Sequence, residues 1–174
     1  MGIMFRNGKF YGGTVESSNS SGVGQVDATE GVTYHGEIFN NYESNKATGM
    51  YSHAEGSGTT ASGTRSHAEG YSTASGESSH AEGYSTTASG QASHAEGGGT
   101  TASGKYSHTE GFGSTASGDY SHAEGQNTKA ISTYSHAEGY STTASNTYSH
   151  AEGSHTEASG MGSHVEGMNG IASG

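Results

Sequence analysis

The sequence predicts an all-β protein, a parallel β-solenoid built from coils of 14 residues. Three observations predict it: a 14-residue repeat, a division of that repeat into two similar halves, and a near absence of large apolar side chains. Seven residues are too few for a helix and its turn, but they fit a short strand and a tight turn. Coils stacked at roughly 4.8 Å supply every strand with hydrogen-bond partners above and below, so order does not require a large core.

Two motifs define the repeat. Ser-His-x-Glu-Gly occurs nine times, with successive histidines 14 residues apart except for one spacing of 13. Half a period later Ala-Ser-Gly recurs, changed to Ala-Ile-Ser at 130–132 and to Ala-Ser-Asn at 144–146. The short spacing falls at 71–76, which lacks one residue, and we expect the turn to absorb the loss. Nine coils predict a rod about 43 Å long.

Composition excludes an ordinary hydrophobic core. The chain has 174 residues without Leu, Pro, Cys or Trp, and only 13 are Ile, Val or Phe. That share is below the roughly 20% under which chains are usually disordered, so either the chain is disordered or its order comes from repetition and association. The net charge of −11 and six dispersed cationic residues exclude nucleic acid as an expected partner. No apolar run reaches the ~18 residues of a membrane span, and no signal peptide is visible, so no membrane insertion is expected.

Strand alternation assigns the faces of each coil. In Ser-His-Ala-Glu-Gly the Ser, Ala and Gly point one way and the His and Glu point the other. In Thr-Thr-Ala-Ser-Gly the Ala and Gly again share a side, opposite the second Thr and the Ser. With both alanines inside, the coil is thin and one face carries a stripe of His and Glu. A bare column of carboxylates would repel itself, so we expect another copy of the stripe to face it.

The repeat resembles the YadA-like head repeats of trimeric autotransporter adhesins, and its Ser-His-Ala-Glu-Gly form is similar to repeats in tail-fibre proteins of phages and prophages. The resemblance covers residues 47–174. It implies a left-handed parallel β-roll and a parallel homotrimer, in which the alternating residues of the Ser-x-Ala-x-Gly strand face the partner chains. Those residues are commonly Val and Ile in the family but are His and Glu here. The implied interface is a ladder in which His of one chain bonds Glu of the next, formed by His53, Glu55, His67, Glu69, His80, Glu82, His94, Glu96, His108, Glu110, His122, Glu124, His136, Glu138, His150, Glu152, His164 and Glu166.

The first 46 residues do not follow the repeat. Asn7-Gly8 between apolar residues predicts a β-hairpin with a type I′ turn, and Ser17–Gly24 reads as a loop. Apolar side chains between 31 and 49 are suited to covering the first coil. We therefore predict two regions, an N-terminal segment at 1–46 and a β-roll at 47–174. Capping the solenoid and attaching it to another component are equally open roles for the first region.

Catalysis and metal binding are both disfavoured by the pattern. Neighbouring Ser and His in a strand point to opposite faces, so they cannot form a nucleophile and base pair. The chain is therefore expected not to be an enzyme. Three symmetry-related histidines on a trimer axis could offer nitrogen ligands to Zn²⁺ or Ni²⁺. A Glu beside each His gives the imidazole N–H an acceptor without metal, so we expect the ladder to be metal-free and to need no cofactor. His35 and His155 lie outside the stripe and are expected on the surface.

Tyrosines flank the strands. Functionally they could form an adhesive surface for glycans or a host protein, and structurally they could pack along the edge of the fibre; the second interpretation is favoured. They are Tyr51, Tyr71, Tyr84, Tyr106, Tyr120, Tyr134, Tyr140 and Tyr148.

These expectations favour a structural protein, a β-roll shaft or head segment of a phage or prophage tail fibre. Its partners would be further copies of itself, in a homotrimer that could join end to end, and a host surface receptor. It would lie in a virion tail fibre or on an extracellular surface. The alternatives are a bacterial surface adhesin head that binds host matrix and a metal-stabilised extracellular filament.

Overall fold

A computed structural model describes residues 45–174 in full, together with the backbone of five short strands before them. Those strands are β1 (Met4–Arg6), β2 (Lys9–Tyr11), β3 (Val26–Asp27), β4 (Thr33–Tyr34) and β5 (Glu37–Phe39). The strands that follow are β6 (Lys46–Ala47), β7 (His53–Gly56), β8 (Thr60–Ala61), β9 (His67–Ala74), β10 (His80–Ala81), β11 (Tyr84–Ala88), β12 (His94–Ala95), β13 (Thr101–Ala102), β14 (His108–Thr109), β15 (Thr115–Ala116), β16 (His122–Gln126), β17 (Lys129–Ala130), β18 (His136–Tyr140), β19 (Thr143–Ala144), β20 (His150–Ser154), β21 (Glu157–Ala158), β22 (His164–Val165) and β23 (Ile171–Ala172).

The strands form two parallel ladders. One aligns the Ser-His-x-Glu-Gly strands so that His lies opposite His, as in the pairing of His80 with His94. The other aligns the second half of each repeat, as in the pairing of Ala88 with Ala102. Each described coil contributes one strand to each ladder, and among residues 45–174 only β9 is long enough to contribute to both as a single strand. The protein is therefore an all-β parallel solenoid of about nine turns with 14-residue coils, as the repeat predicts.

The interior between the ladders is built from the smallest side chains. Fifteen alanines are completely buried there, and the Ser and first Thr of the motifs are buried beside them. On the opposite side of the second ladder, Thr60 is partly exposed and Ser62 is exposed. The predicted facing is thus confirmed. Thr109 replaces one interior Ala, and its hydroxyl donates to the Thr101 carbonyl oxygen at 3.1 Å.

The 13-residue coil keeps both ladders in register. In the following coil Ser85 has a φ of 60° and lies between Tyr84, which pairs with Tyr71, and Thr86, which pairs with Ser72. The shorter coil lacks the equivalent of Ser85, so β9 runs through the corner as one strand. Ser72 takes the buried place of Thr86, and its Oγ donates to the Ala81 carbonyl oxygen at 2.9 Å. The turn absorbs the missing residue, as predicted.

The N-terminal strands show two kinds of pairing. β1 and β2 pair antiparallel with Phe5 opposite Phe10, which is the hairpin predicted from Asn7-Gly8. The turn itself lies outside the described residues, so its type stays a prediction, as do the loop at Ser17–Gly24 and the exposure of His35. β5 pairs parallel with β7, so the first ladder extends to the N-terminal side of the predicted boundary at 46/47. The capping or attachment role of residues 1–46 also stays a prediction.

Added volume in this thin interior is expected to be costly. Ala123 is completely buried, and Ala123→Leu should lower the free energy of unfolding by about 3 kcal/mol because the facing ladders must separate to admit the side chain. Ser103→Ile is the matched control, since Ile131 occupies the equivalent outer position in a later coil. Thermal unfolding followed by circular dichroism measures both variants. Equal melting temperatures for the two would contradict the close packing of the interior.

Candidate functional site: the His/Glu face

The His/Glu face is the outer surface of the first ladder in residues 45–174. Strand alternation places His and Glu outward on either side of a buried Ala, and the ladder register stacks them into two columns. The paired His side chains are 31–40% exposed and the paired Glu side chains 32–42% exposed in a single chain. The structure therefore collects the predicted ladder residues on one half-buried face of the chain.

The imidazole rings are stacked from His67 to the end of the column at His164. Successive ring centroids lie 4.6–4.9 Å apart, and from His67 to His164 the planes differ by 13° or less. His53 differs, because its ring meets that of His67 edge-on at 83°. The spacing equals that between hydrogen-bonded strands, so the ladder itself dictates the stack.

His and Glu already pair within one chain, a feature that sequence reasoning did not foresee. Five histidines contact the Glu two residues later, as His136 does with Glu138 at 3.5 Å between Nε2 and Oε2. Two others contact the Glu of the preceding coil, and the His108 Nε2 to Glu96 Oε1 distance of 3.2 Å is the shortest. Most of the remaining His–Glu contacts, at 3.5–3.9 Å between nitrogen and oxygen, are too long or too poorly aligned for a hydrogen bond.

Six imidazole nitrogens are consequently buried without a hydrogen-bond partner among the described residues. These are the Nε2 atoms of His67, His80, His94, His122, His136 and His150. A buried polar atom without a partner costs free energy, on the order of 1–3 kcal/mol. This face of a single chain is therefore incompletely satisfied and suited to a further acceptor or ligand.

Burial and like charges shift the titration of this face. Burial lowers the pKa of His80, His122 and His136 below the ordinary 6.5, and repulsion from neighbouring imidazoles lowers it further. Partial burial raises the pKa of Glu124 above 4.5, and a side-chain hydrogen bond with Glu110 and repulsion from Glu138 add to the rise. At neutral pH these three imidazoles are therefore uncharged.

The motif serine has a structural contact. In each described repeat its hydroxyl points inward and donates to a main-chain carbonyl oxygen three residues earlier, as from Ser107 to Gly104 at 2.7 Å. The neighbouring His lies on the opposite side of the strand. Within the described coils the Ser, His and Glu of one motif are thus not arranged as a nucleophile, base and orienting acid.

The face also brings metal-ligating atoms together, in a way that differs from the ring of three symmetry-related histidines considered from sequence. His94, Glu96 and His108 place one ligand atom each within 4.8 Å of one another, and similar groups recur along the face. All three residues of each group come from successive coils of the same chain. Sequence could have indicated this arrangement, because a 14-residue coil places each His beside the next.

Tyrosines form a second column at the corner of the solenoid. The rings of Tyr106, Tyr120, Tyr134 and Tyr148 stack at 5.1 Å, and all four residues have φ between 56° and 60°. Packing along the edge is thus observed, although each ring stays about half exposed. His155 is exposed, as predicted, and stacks edge-on against Tyr140.

No protein-family model matches this chain, and no curated protein matches it. Among the described residues, no helix has the length and apolar character needed to cross a membrane.

Proposed function

We propose that this chain is a structural protein and not an enzyme, a homotrimeric β-roll shaft or head segment of a phage or prophage tail fibre. The observation that supports this most is the His/Glu face, on which six buried imidazole nitrogens have no hydrogen-bond partner among the described residues. The left hand of the roll and the parallel trimer follow from the resemblance to YadA-like head repeats. The location in a virion or on an extracellular surface follows from the same resemblance.

The His/Glu face has the chemistry of a self-complementary interface. Each imidazole N–H is a donor, each carboxylate is an acceptor, and both recur at the coil spacing. A second chain in parallel register would therefore place its carboxylates opposite the imidazole N–H groups of the first chain in every coil. A hydrogen bond to a carboxylate is stronger than a neutral one, and a partner Glu would satisfy the nitrogens that the single chain leaves buried.

The solenoid is suited to a mechanical role. Two continuous parallel ladders run through residues 46–172, and the interior between them is closely packed with alanine. Each coil is held by hydrogen bonds to both neighbours, so bending the rod would break many bonds together. Such a rod would hold a receptor-binding part of the fibre at a fixed distance from its attachment point.

An adhesin head that binds host matrix is the second candidate, and the tyrosine column favours it. Half-exposed aromatic rings with polar hydroxyls are enriched at protein interfaces. The column lies at a corner of the coil, so it would stay accessible if the His/Glu face were covered. A signal peptide and a membrane anchor in the complete gene would favour the adhesin, whereas neighbouring virion genes would favour the fibre.

The solution mass tests the assembly. Light scattering should give three times the chain mass of 17.6 kDa, with and without EDTA. His94→Glu combined with His122→Glu makes the stripe more acidic and removes two donors, so a monomer is expected. Thr87→Glu combined with Thr115→Glu is the control with equal added charge, because Glu157 occurs naturally in that outer column.

Each outcome of the mass measurement bears on the proposal. A monomeric wild-type chain would contradict the trimer and return the His/Glu face to solvent. A wild-type trimer that also survives the double His variant would show that the interface lies elsewhere. Dissociation by EDTA alone would favour the metal-stabilised filament over the metal-free ladder.

A further inference from the structure

The His/Glu face gathers two imidazoles and one carboxylate at least five times within one chain. Each triad consists of a His, the Glu two residues later and the His of the next coil. Three triads share no residue: His53, Glu55 and His67; His94, Glu96 and His108; and His122, Glu124 and His136.

We propose that this face binds divalent transition-metal ions, each held by two imidazole nitrogens from successive coils and by the carboxylate between them. Zn²⁺ is the representative ion. Two nitrogens and one carboxylate oxygen are a common three-residue set for zinc, with the fourth position left to water or another ligand. The array would make the solenoid a multi-site metal binder along its long axis.

Binding requires the side chains to rotate, because a metal ion lies in the plane of each imidazole that binds it and the stacked rings must turn toward each other. The ligand atoms of each triad lie within 4.8 Å of one another, and two ligands of a tetrahedral zinc ion lie about 3.4 Å apart. The side chains are about one third exposed, so rotation about their terminal bonds can close the difference. The coil spacing fixes the backbone positions of both histidines, so binding needs rotation of side chains and no movement of the ladder.

The electrostatics of the face favour a cation. The ladder register stacks the Glu side chains at the coil spacing, as it does Glu124 and Glu138, so carboxylates lie next to one another along the face. Like charges at that spacing repel each other. The stacked imidazoles of His122 and His136 lie beside them. Their Nε2 atoms have no hydrogen-bond partner among the described residues. A bound cation would relieve the repulsion and satisfy these nitrogens together.

The ligand types select the class of metal. Imidazole with carboxylate suits zinc, nickel and copper, whereas magnesium and calcium prefer sites made entirely of oxygen atoms. The chain contains no Cys, so no thiolate can compete for the ion. Discrimination of Zn²⁺ against Mg²⁺ is therefore the signature expected of these triads.

The metal sites do not depend on the proposed fibre function, because every ligand comes from one chain. An Nε2 atom that holds an ion cannot also donate a hydrogen bond to a partner carboxylate, so at the three triads the ion and the interchain hydrogen bond are alternatives. His80 and His150 lie outside the three separate triads and stay available to a partner chain.

Equilibrium dialysis of the full chain against about 0.1 mM free Zn²⁺, with metal analysis of the retained protein, tests the proposal. At least three equivalents per chain are expected, and fewer than one of Mg²⁺ under the same conditions. His94→Gln combined with His108→Gln removes both nitrogens of one triad and should lower the zinc bound by about one equivalent. His155→Gln, at an exposed histidine outside the face, is the matched control and should bind as the wild type does. Circular dichroism of the same samples confirms that each variant keeps its strands.

Three results would overturn the sites: less than one zinc bound, equal binding of zinc and magnesium, or no loss in the folded double variant. Glu96→Gln provides an independent check, because it keeps the shape of the side chain and removes its charge; unchanged zinc affinity at its triad would also count against the proposal. Light scattering on the same samples separates this question from the fibre function. A trimer that binds no zinc would refute the sites alone, and a monomer that binds three would refute the trimer alone.

Discussion

Gly111→Ala is expected to interrupt the parallel ladder and to lower the free energy of unfolding by about 3 kcal/mol or more. Gly111 ends its Ser-His-x-Glu-Gly motif with a φ of +96°, a conformation that side chains rarely adopt. An added Cβ would also overlap the main-chain carbonyl oxygen of Gly125 in the next coil. Relief requires the two coils to separate, which breaks hydrogen bonds on both sides.

A matched substitution separates this collision from a general cost of losing glycine. Gly99 also has a positive φ, of +64°, but the nearest atom to an added Cβ is the Gly113 nitrogen at 4.0 Å. Ser85 and Ser141 occupy the equivalent turn position in other coils with φ of 60° and 53°. Gly99→Ser should therefore cost no more than about 1 kcal/mol.

Denaturant unfolding and amide hydrogen exchange measure the effect of these two substitutions. Because coils interact mainly with their neighbours, exchange should accelerate first in the coils on either side of residue 111. Equal stability of Gly111→Ala and Gly99→Ser would show that the coils are not in the close contact described above.

Acid is expected to lower the stability of the solenoid, and with it that of the proposed trimer, between pH 6.5 and about pH 5. The folded-state pKa values of His80, His122 and His136 are lowered from 6.5, mainly by burial. As the pH falls below 6.5 the unfolded chain binds protons first, so the folded state loses stability. Glu124 acts in the opposite sense, because its raised pKa makes the folded state the stronger proton binder above pH 4.5. Because three histidines destabilise the folded state and one glutamate stabilises it, we expect a net loss of folding stability between pH 6.5 and about pH 5.

Melting temperatures recorded across this pH range check the expected loss. Replacing His80, His122 and His136 together by Gln should flatten the curve, since Gln does not titrate. His155→Gln should leave it unchanged, because that exposed residue lies outside the stack. A melting temperature that stays constant from pH 7 to pH 5 would contradict the protonation argument, and a solution mass that stays constant down to about pH 4 would contradict a His–Glu interface.

Much of the fold could be predicted because the same short pattern recurs nine times. The alternation of small and polar residues placed Ala54 inside and His53 outside, and the structure confirms both. The missing residue near Ser72 was assigned to a turn because any other place would have reversed the facing of a strand. The extension of the ladder to β5 was not foreseen, since Glu37–Phe39 does not match the motif.

The candidate site could be predicted only in part. Sequence identified its eighteen residues and their common face, but expected His to find its Glu in another chain. In the structure His136 pairs with Glu138 in its own strand, whereas His108 pairs with Glu96 of the preceding coil. In the repeat, each His after the first has a Glu two residues later and another in the preceding coil. The side-chain rotamers decide which of the two it contacts, and the sequence pattern does not predict them.

The sequence by itself determined the coil length, the inward and outward faces and the small interior. The 14-residue repeat sets the length of a coil, and the alternation of side chains along each strand sets which residues point inward. Only the tertiary structure decided which nitrogens are buried without partners, which imidazoles are held neutral and which ligand atoms come within reach of one ion. Those properties depend on distances of a few ångströms between residues 12 to 14 positions apart. Stacking of the coils creates these distances, and no local pattern of residues records them.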